Sequence, residues 1–279
     1  MKRIFLVGCP RSGTTLLQSL LASHSEIVSF PETHLFSKTI SINKIVQFFT
    51  VYGTQQKYAL ESIADELCNR SVLMDIPTGP IYSTQQWVAH LLPVLNHIAE
   101  TQYGTGEQAY LLEKTPRHLH FIEEITQADS DAQFVHVIRS GIDVVASMME
   151  ATNQHPEAWS AARDIKKSVF WWNRSIKISR EYVGETNHHF IWYNDIINHP
   201  DWALEQLLNN LGLQYEPGMI ADCGHTASTL ISSNEHWKAR NLIGNVHRTS
   251  KADSLTKEEK NYIRKHLTHF DYSQIAFRK

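Results

Sequence analysis

Gly8 and Gly13 bracket Cys9-Pro10-Arg11-Ser12, and Thr14-Thr15 follow directly. An apolar run, Ile4-Phe5-Leu6-Val7, leads into this loop, and Leu16-Leu17-Gln18-Ser19-Leu20-Leu21 leads out of it. The pattern predicts strand, glycine-containing loop, helix. Such a turn aims several backbone N–H groups and a helix N-terminus at one point, which suits a phosphate. Gly13 permits close approach of the backbone, Ser12, Thr14 and Thr15 offer hydroxyls, and Arg11 can make forked contacts to a phosphate or sulfate.

The spacing matches the phosphate loop of nucleotide triphosphatases, but Thr14-Thr15 stands where that loop carries Lys-Ser/Thr. A second cluster sharpens the difference. The apolar run Phe134–Ile138 ends in Arg139, and Ser147 lies eight residues further on, in a segment that reads as a helix. In a metal-dependent NTPase the corresponding strand ends in a carboxylate that helps hold magnesium. Here it ends in a cation that calls for a second anion, unless Arg139 merely pairs with Asp143 on the helix surface. Two separate anion sites and no obligatory metal describe a ligand with two anionic ends, the shape of 3′-phosphoadenosine-5′-phosphosulfate (PAPS).

The elements that must hold these clusters are legible as alternating short apolar runs and amphipathic segments. Strands are expected at 4–8, 27–30, 109–113, 134–138 and 189–193. Their nearly continuous apolar character predicts burial on both faces, hence a parallel sheet flanked by helices, an α/β fold. Helices are expected at 14–23, 57–69, 83–100, 141–150, 159–183, 201–212 and 256–267, with Pro93 kinking or splitting the third. Thr256 and Glu259 form a capping-box pattern. Residues 35–108 contain no convincing strand and read as a helical insertion that forms a lid over the acceptor, within a single domain spanning 1–279.

With this order in view, the chain resembles the PAPS-dependent sulfotransferase superfamily. Pro10-Arg11-Ser12-Gly13-Thr14-Thr15 is similar to its 5′-phosphosulfate loop, and Arg139 through Ser147 to the motif whose Arg and Ser grip the 3′-phosphate. Glu113-Lys114-Thr115-Pro116 resembles the Lys-Ser/Thr-Pro element of some carbohydrate sulfotransferases. Tyr193-Asn194-Asp195 resembles the Tyr-Glu-Asp element, whose Tyr lies near the adenine. Arg11 in place of the Lys of cytosolic small-molecule members points toward tyrosylprotein and bacterial branches. Asn194 replaces the usual Glu, and the C-terminal Arg-Lys-Gly is absent; Gly244-Asn245-Val246-His247-Arg248 with Lys251 is the nearest basic loop. On the resemblance, Arg248 or Lys251 is expected to reach the 3′-phosphate.

Sulfuryl transfer requires the acceptor hydroxyl or amine to lose a proton as it attacks sulfur, so a base within hydrogen-bond reach is needed. Pro31-Glu32-Thr33-His34 follows the second strand, which places Glu32 at the carboxyl edge of the sheet beside the loop. Similar proteins use a Glu in this region, and Glu32 is the expected base, with His34 and His118 as alternatives. Lys114, directly after the third strand, is expected to stabilise charge on the sulfuryl oxygens or leaving phosphate together with Arg11. An ordinary turn carboxylate at Glu32 and a surface ion pair at Lys114 are the competing structural readings.

Net charge is −3, so bulk attraction to nucleic acid or an anionic membrane is not supported, and any basic site must be local. Three widely spaced cysteines, Cys9, Cys68 and Cys223, suggest no disulfide framework, and Cys9 reads as a loop-filling residue before a reactive thiol. The 16 histidines form no zinc-like frame with cysteines. No segment approaches the ~20 apolar residues of a membrane helix. A cytoplasmic setting without a membrane anchor is expected, and the acceptor could be a small molecule, a sugar, a lipid or a peptide. Dimerisation is common among similar proteins, and no segment here marks a homodimer interface. Two other functions compete: a P-loop nucleotide or small-molecule kinase, which would need a loop Lys and a Mg²⁺ carboxylate, and a non-catalytic module that binds a bisphosphorylated nucleotide, which would need no base.

Overall fold

In the computed structural model, residues 1–67, 79–81, 83–104, 110–156, 162–230 and 250–275 are described. Five strands, β1 (Lys2–Gly8), β2 (Ile27–Ser29), β3 (Tyr110–Lys114), β4 (Gln133–Ile138) and β5 (His188–Trp192), form one sheet in the order β2-β3-β1-β4-β5, with every pairing parallel. The register sets Leu6 beside Lys114 and Val135, and Ile138 beside Trp192. Because the strands are parallel, all five carboxyl ends lie along one edge. Glu32, Thr115, Arg139, Tyr193 and the 9–13 loop each follow one of those ends.

Alternation along the strands divides the core. Phe5 and Val7 face one side with Val28, Leu111 and Phe134, while Ile4 and Leu6 face the other with Ile27, Leu112, Val135 and Ile191. The helices α1 (Thr14–Leu21), α10 (Pro200–Leu211) and α11 (Met219–Thr229) cover the second side. A third apolar cluster joins Ile138, Phe190 and Trp192 to α7 (Gly141–Gln154), α8 (Ile165–Glu181) and α12 (Lys257–His266). The short α6 (Ile122–Ala128) and α9 (Tyr193–Asn198) connect these layers.

Between β2 and β3, the described residues form α2 (Leu35–Thr39), α3 (Lys44–Phe49), α4 (Thr54–Leu67) and α5 (Thr84–Tyr103), plus one antiparallel bridge between Tyr52 and Ile81. Within the expected helical insertion, α5 packs on the sheet itself. Trp87, Val88, Leu91, Leu95 and Ile98 of this helix share a core with Phe5 and Leu111, so α5 covers a face of the sheet. Pro93 does not split α5, which runs on to Tyr103. Pro93 and Ala89 are both exposed, so the Ala89 carbonyl that loses its helical donor faces water.

Other boundaries shift for local reasons. The expected strand 189–193 ends at Trp192, and Tyr193 opens α9. The expected helix 159–183 begins, as described, at Ile165, capped by the Asp164 side chain on the Lys167 N–H; residues 157–161 lie outside the described set. The Thr256/Glu259 capping box is formed in full.

Candidate active site

The loop after β1 is a tight cradle. Ser12 N–H donates to the Cys9 carbonyl at 3.1 Å, Arg11 adopts φ 75°, and Gly13 adopts φ 100° at the N-cap of α1. Gly13 makes no side-chain cap, so no N-cap side chain competes for the first-turn N–H groups of α1. A Cβ at Gly13 would stand 2.3 Å from the Tyr193 ring, so only glycine fits beneath that ring. The Ser12 hydroxyl is buried and has no hydrogen-bond partner, although burial without a partner is costly. An unsatisfied hydroxyl, a helix N-terminus and a glycine-lined backbone in one place fit the phosphate end of a nucleotide.

The second anion cluster meets the first. Arg11 Nε donates to Ser147 Oγ at 3.2 Å, and Arg139 Nη1 donates to the Arg11 carbonyl at 3.3 Å. Arg139 also stacks its guanidinium 4.3 Å from the centre of the Tyr193 ring. The alternative pairing of Arg139 with Asp143 is not formed, because Asp143 Oδ1 accepts from Ser250 Oγ at 2.6 Å and from the Ala252 N–H at 3.1 Å. Arg11, Gly13, Arg139, Ser147 and Tyr193 therefore occupy one locus, built from the ends of β1, β4 and β5. Arg248 lies outside the described residues, and Lys251 pairs with Glu150 at 2.9 Å.

On the other flank of the cradle, Lys114 Nζ lies 2.5 Å from Glu32 Oε1 and 3.4 Å from Thr15 Oγ1. The Lys114 side chain is 1% exposed and that of Glu32 9%, so this is no surface ion pair. His34 Nε2 approaches Glu32 Oε2 at 3.4 Å. Glu32 thus stands between a buried ammonium and an imidazole, at the mouth of the phosphate loop. His118 is committed elsewhere: it is fully buried, its Nδ1 is 2.7 Å from Glu113 Oε2, and its Nε2 takes the Phe36 N–H at 3.4 Å.

Sequence reasoning gave Glu113 no role, yet it organises the Glu32 loop. Its carboxylate is fully buried and receives Thr33 Oγ1 at 2.9 Å, Thr115 Oγ1 at 2.7 Å and the His118 ring. Burial alone would raise its pKa; the adjoining His118 ring, with the two threonine hydroxyls, outweighs that and holds it below the usual carboxylate value. Thr115 Oγ1 in turn accepts the His34 N–H at 3.2 Å, and His34 takes φ 54°. Gln18 of α1 ties the same loop down, donating to Ser29 Oγ and to the Phe30 carbonyl. The available signal was a carboxylate inside an apolar strand with threonines at 33 and 115, a pattern that only contact across the sheet makes meaningful.

Cys9 sits beneath the loop. Burial pushes its thiol up to about 12, against the weaker opposing pull of Ser175 and Arg163, which makes it a packing residue and not a nucleophile. Among the described residues there is no group of three or more His, Cys, Asp or Glu side chains that could hold a metal, and no helix long and apolar enough to cross a membrane.

A family profile described as "Sulfotransferase family" matches residues 3–217. Curated relatives include protein-tyrosine sulfotransferase A of Caenorhabditis elegans, 21% identical over 221 residues that make up 78% of this chain and 51% of that protein. Protein-tyrosine sulfotransferase 2 of Gallus gallus is 22% identical, covering 79% of this chain and 53% of that protein. The chain thus spans about half the length of these relatives. Among solved structures, the sulfotransferase domain of the Synechococcus PCC 7002 olefin synthase has a TM-score of 0.56 at 17% identity, covering 97% of this chain and 96% of that one. Mouse sulfotransferase SULT7A1 complexed with PAP, adenosine 3′,5′-bisphosphate, has a TM-score of 0.54 at 13% identity, covering 95% and 81%. These likenesses extend over nearly the whole chain and concern the fold.

Proposed function

Given that the chain belongs to the sulfotransferase family, we propose that it moves a sulfuryl group from PAPS to a hydroxyl or amine acceptor, using Arg11 and the 12–15 loop for the 5′-phosphosulfate and Arg139 with Ser147 for the 3′-phosphate. The observation that supports this reading is the contact of Arg11 with Ser147 and of Arg139 with the Arg11 backbone, which joins two segments separated by more than a hundred residues at one locus. Tyr193, held between Gly13 and Arg139, links the two clusters and, on the family resemblance, lies near the adenine.

The donor supplies the activated sulfuryl group: a new S–O or S–N bond forms to the acceptor as the S–O bond to the 5′-phosphate breaks, and that phosphate keeps the electron pair. Glu32 receives the acceptor proton, since it is a carboxylate at the carboxyl edge next to the loop. Lys114 has two roles. It pairs with the Glu32 carboxylate and orients it, and its reach to Thr15 places a positive charge at the cradle, where negative charge grows on the leaving phosphate. The exposed parts of the 35–108 segment shape the acceptor pocket in this reading. A cytoplasmic setting is part of the proposal; the free thiols of Cys9 and Cys223 are consistent with it.

Glu32→Gln separates catalysis from binding. The variant should bind adenosine 3′,5′-bisphosphate within about twofold of the parent while transfer from labelled PAPS falls by ~10²–10⁴-fold, the usual worth of a positioned base. Retention of full activity would remove Glu32 from the chemistry, and failure of the parent to bind the bisphosphate would remove the donor assignment.

A further inference from the structure

Trp171 of α8 is surrounded by three guanidinium groups. Arg117, Arg163 and Arg174 lie 5.7, 5.6 and 5.7 Å from its ring, and His120 meets it edge-on at 6.1 Å. All four side chains and the indole are half-buried. We propose that this cluster binds a compact oxyanion group, a phosphate or sulfate ester, carried by the acceptor; the word acceptor rests on the sulfotransferase reading above.

The charge balance motivates the assignment. Among the described residues, neither Arg117 nor Arg174 has a carboxylate partner. Partly desolvated cations that lack a counter-ion repel each other at a cost that folding alone does not recover. Burial first, then Arg174, weakens proton binding at Arg117; burial first, then Arg174 and Arg117, lowers His120 to about 4. The His120 Nδ1 atom is buried with no hydrogen-bond partner. A multiply charged group with several acceptor oxygens answers each of these deficits, and planar forked donors are suited to it. Arg117 interacts electrostatically with both Arg174 and Arg163, a closeness that one compact group serves better than carboxylates spread along an acidic peptide.

The position links this cluster to the proposed chemistry. Arg117 and His120 lie on the 3₁₀ turn Pro116–Phe121 that begins two residues after Lys114 and packs against β1, α2 and α8. Arg163 Nη1 reaches the sulfur of Met148, the neighbour of Ser147. The anion would therefore sit on the α8 side of the donor cradle, and the 3₁₀ turn joins that side to the Glu32 loop through α2.

The test uses the full chain saturated with adenosine 3′,5′-bisphosphate, so that the donor cradle is filled, titrated with inorganic phosphate. One phosphate should bind, and the His120 imidazole resonances should move toward the protonated form. Arg117→Gln and Arg174→Gln should each weaken phosphate at least about tenfold, the loss of a charge-assisted hydrogen bond. Arg180→Gln, further along α8, should change nothing. 4-Hydroxyphenyl phosphate should compete with phosphate and bind at least as tightly. No saturable phosphate binding, or binding indifferent to Arg117 and Arg174, overturns the proposal. So does tighter binding of the free ion than of the ester, or preference for a poly-glutamate peptide over phosphate. If the bisphosphate itself fails to bind, the donor reading falls, and the same phosphate titration on the ligand-free protein still decides the arginine cluster.

Discussion

Single atoms decide much of this site, and Gly13 is the clearest case. Its φ of 100° lies in the region that side chains rarely adopt, and a Cβ there would meet the Tyr193 ring at 2.3 Å. Tyr193 cannot simply retreat, because Arg139 stacks on it and Arg139 also holds the Arg11 carbonyl. Gly13→Ala should thus disturb the loop and, through Tyr193, the placement of Arg139 together. The expected outcome is at least a tenfold loss of bisphosphate affinity by titration calorimetry, with a stability cost of about 1–3 kcal/mol for the strained backbone. Gly224→Ala in α11, where a Cβ meets nothing within 4 Å, is the control and should leave binding unchanged. Equal affinity in both variants would mean that the glycine loop does not receive the nucleotide.

At the level of elements, α7 carries Ser147 and begins immediately after Arg139-Ser140, so the placement of its first turn sets the positions of Arg139 and Ser147 at once. That turn is fixed by packing: a Cβ on Gly141 would stand 2.7 Å from Trp172 of α8 and 2.8 Å from Leu267 beyond α12. Gly141→Ala should therefore wedge α7 away from both, lowering stability by about 1–3 kcal/mol in thermal unfolding and weakening the bisphosphate in parallel. Loss of stability with intact affinity would show that α7 adjusts without moving Arg139. The same elements show how far the sequence could be read. Buried parallel strands announce themselves by composition, so all five were found to within two residues, and motifs that sit at strand ends came with them. The 3₁₀ turn 116–121, α6, α9 and α11 were not anticipated, because they are short or carry little periodicity and are held by tertiary contacts such as Met219 and Ile196 against the second sheet face. The role of α5 as a cover for the sheet was hidden for a related reason: amphipathic spacing tells that a face is buried and not against what. The Glu113 network and the arginines around Trp171 join residues from separate elements, and such meetings are set by topology alone.

Across the whole molecule, the folded state keeps several ionisable groups in the form that acid would remove. His136 in β4 is fully buried, hydrogen-bonded through Nε2 to His188 at 2.9 Å and through Nδ1 to Ser179 at 3.1 Å. His188 lies in a stack between Phe134 and Tyr182, and His189 bonds Gln133. The His136–His188 bond needs at least one acceptor nitrogen, so the pair cannot be doubly protonated and intact. Burial, then repulsion from its histidine neighbours, holds His136 well below 6.5; burial, then His189, brings His188 to about 4; burial lowers His189. In the unfolded chain these imidazoles take up protons near pH 6.5, whereas in the folded protein His188 does so only near 4. The unfolded state therefore binds more protons between those values, and stability, full above about 6.5, must fall as pH drops through that window. Glu113 adds to the loss at the acid end, because its depressed folded pKa gives a contribution that is full above about 4.5 and is lost progressively as pH falls below that. Denaturant unfolding from pH 8 to 4 should show a plateau above about 6.5 and a steady decline below it. His188→Phe, which keeps the stack on Phe134 and Tyr182 while removing a titrating group, should flatten that decline relative to its own pH 8 value. A decline of unchanged slope in this variant would place the acid sensitivity outside the histidine cluster, in the carboxylates.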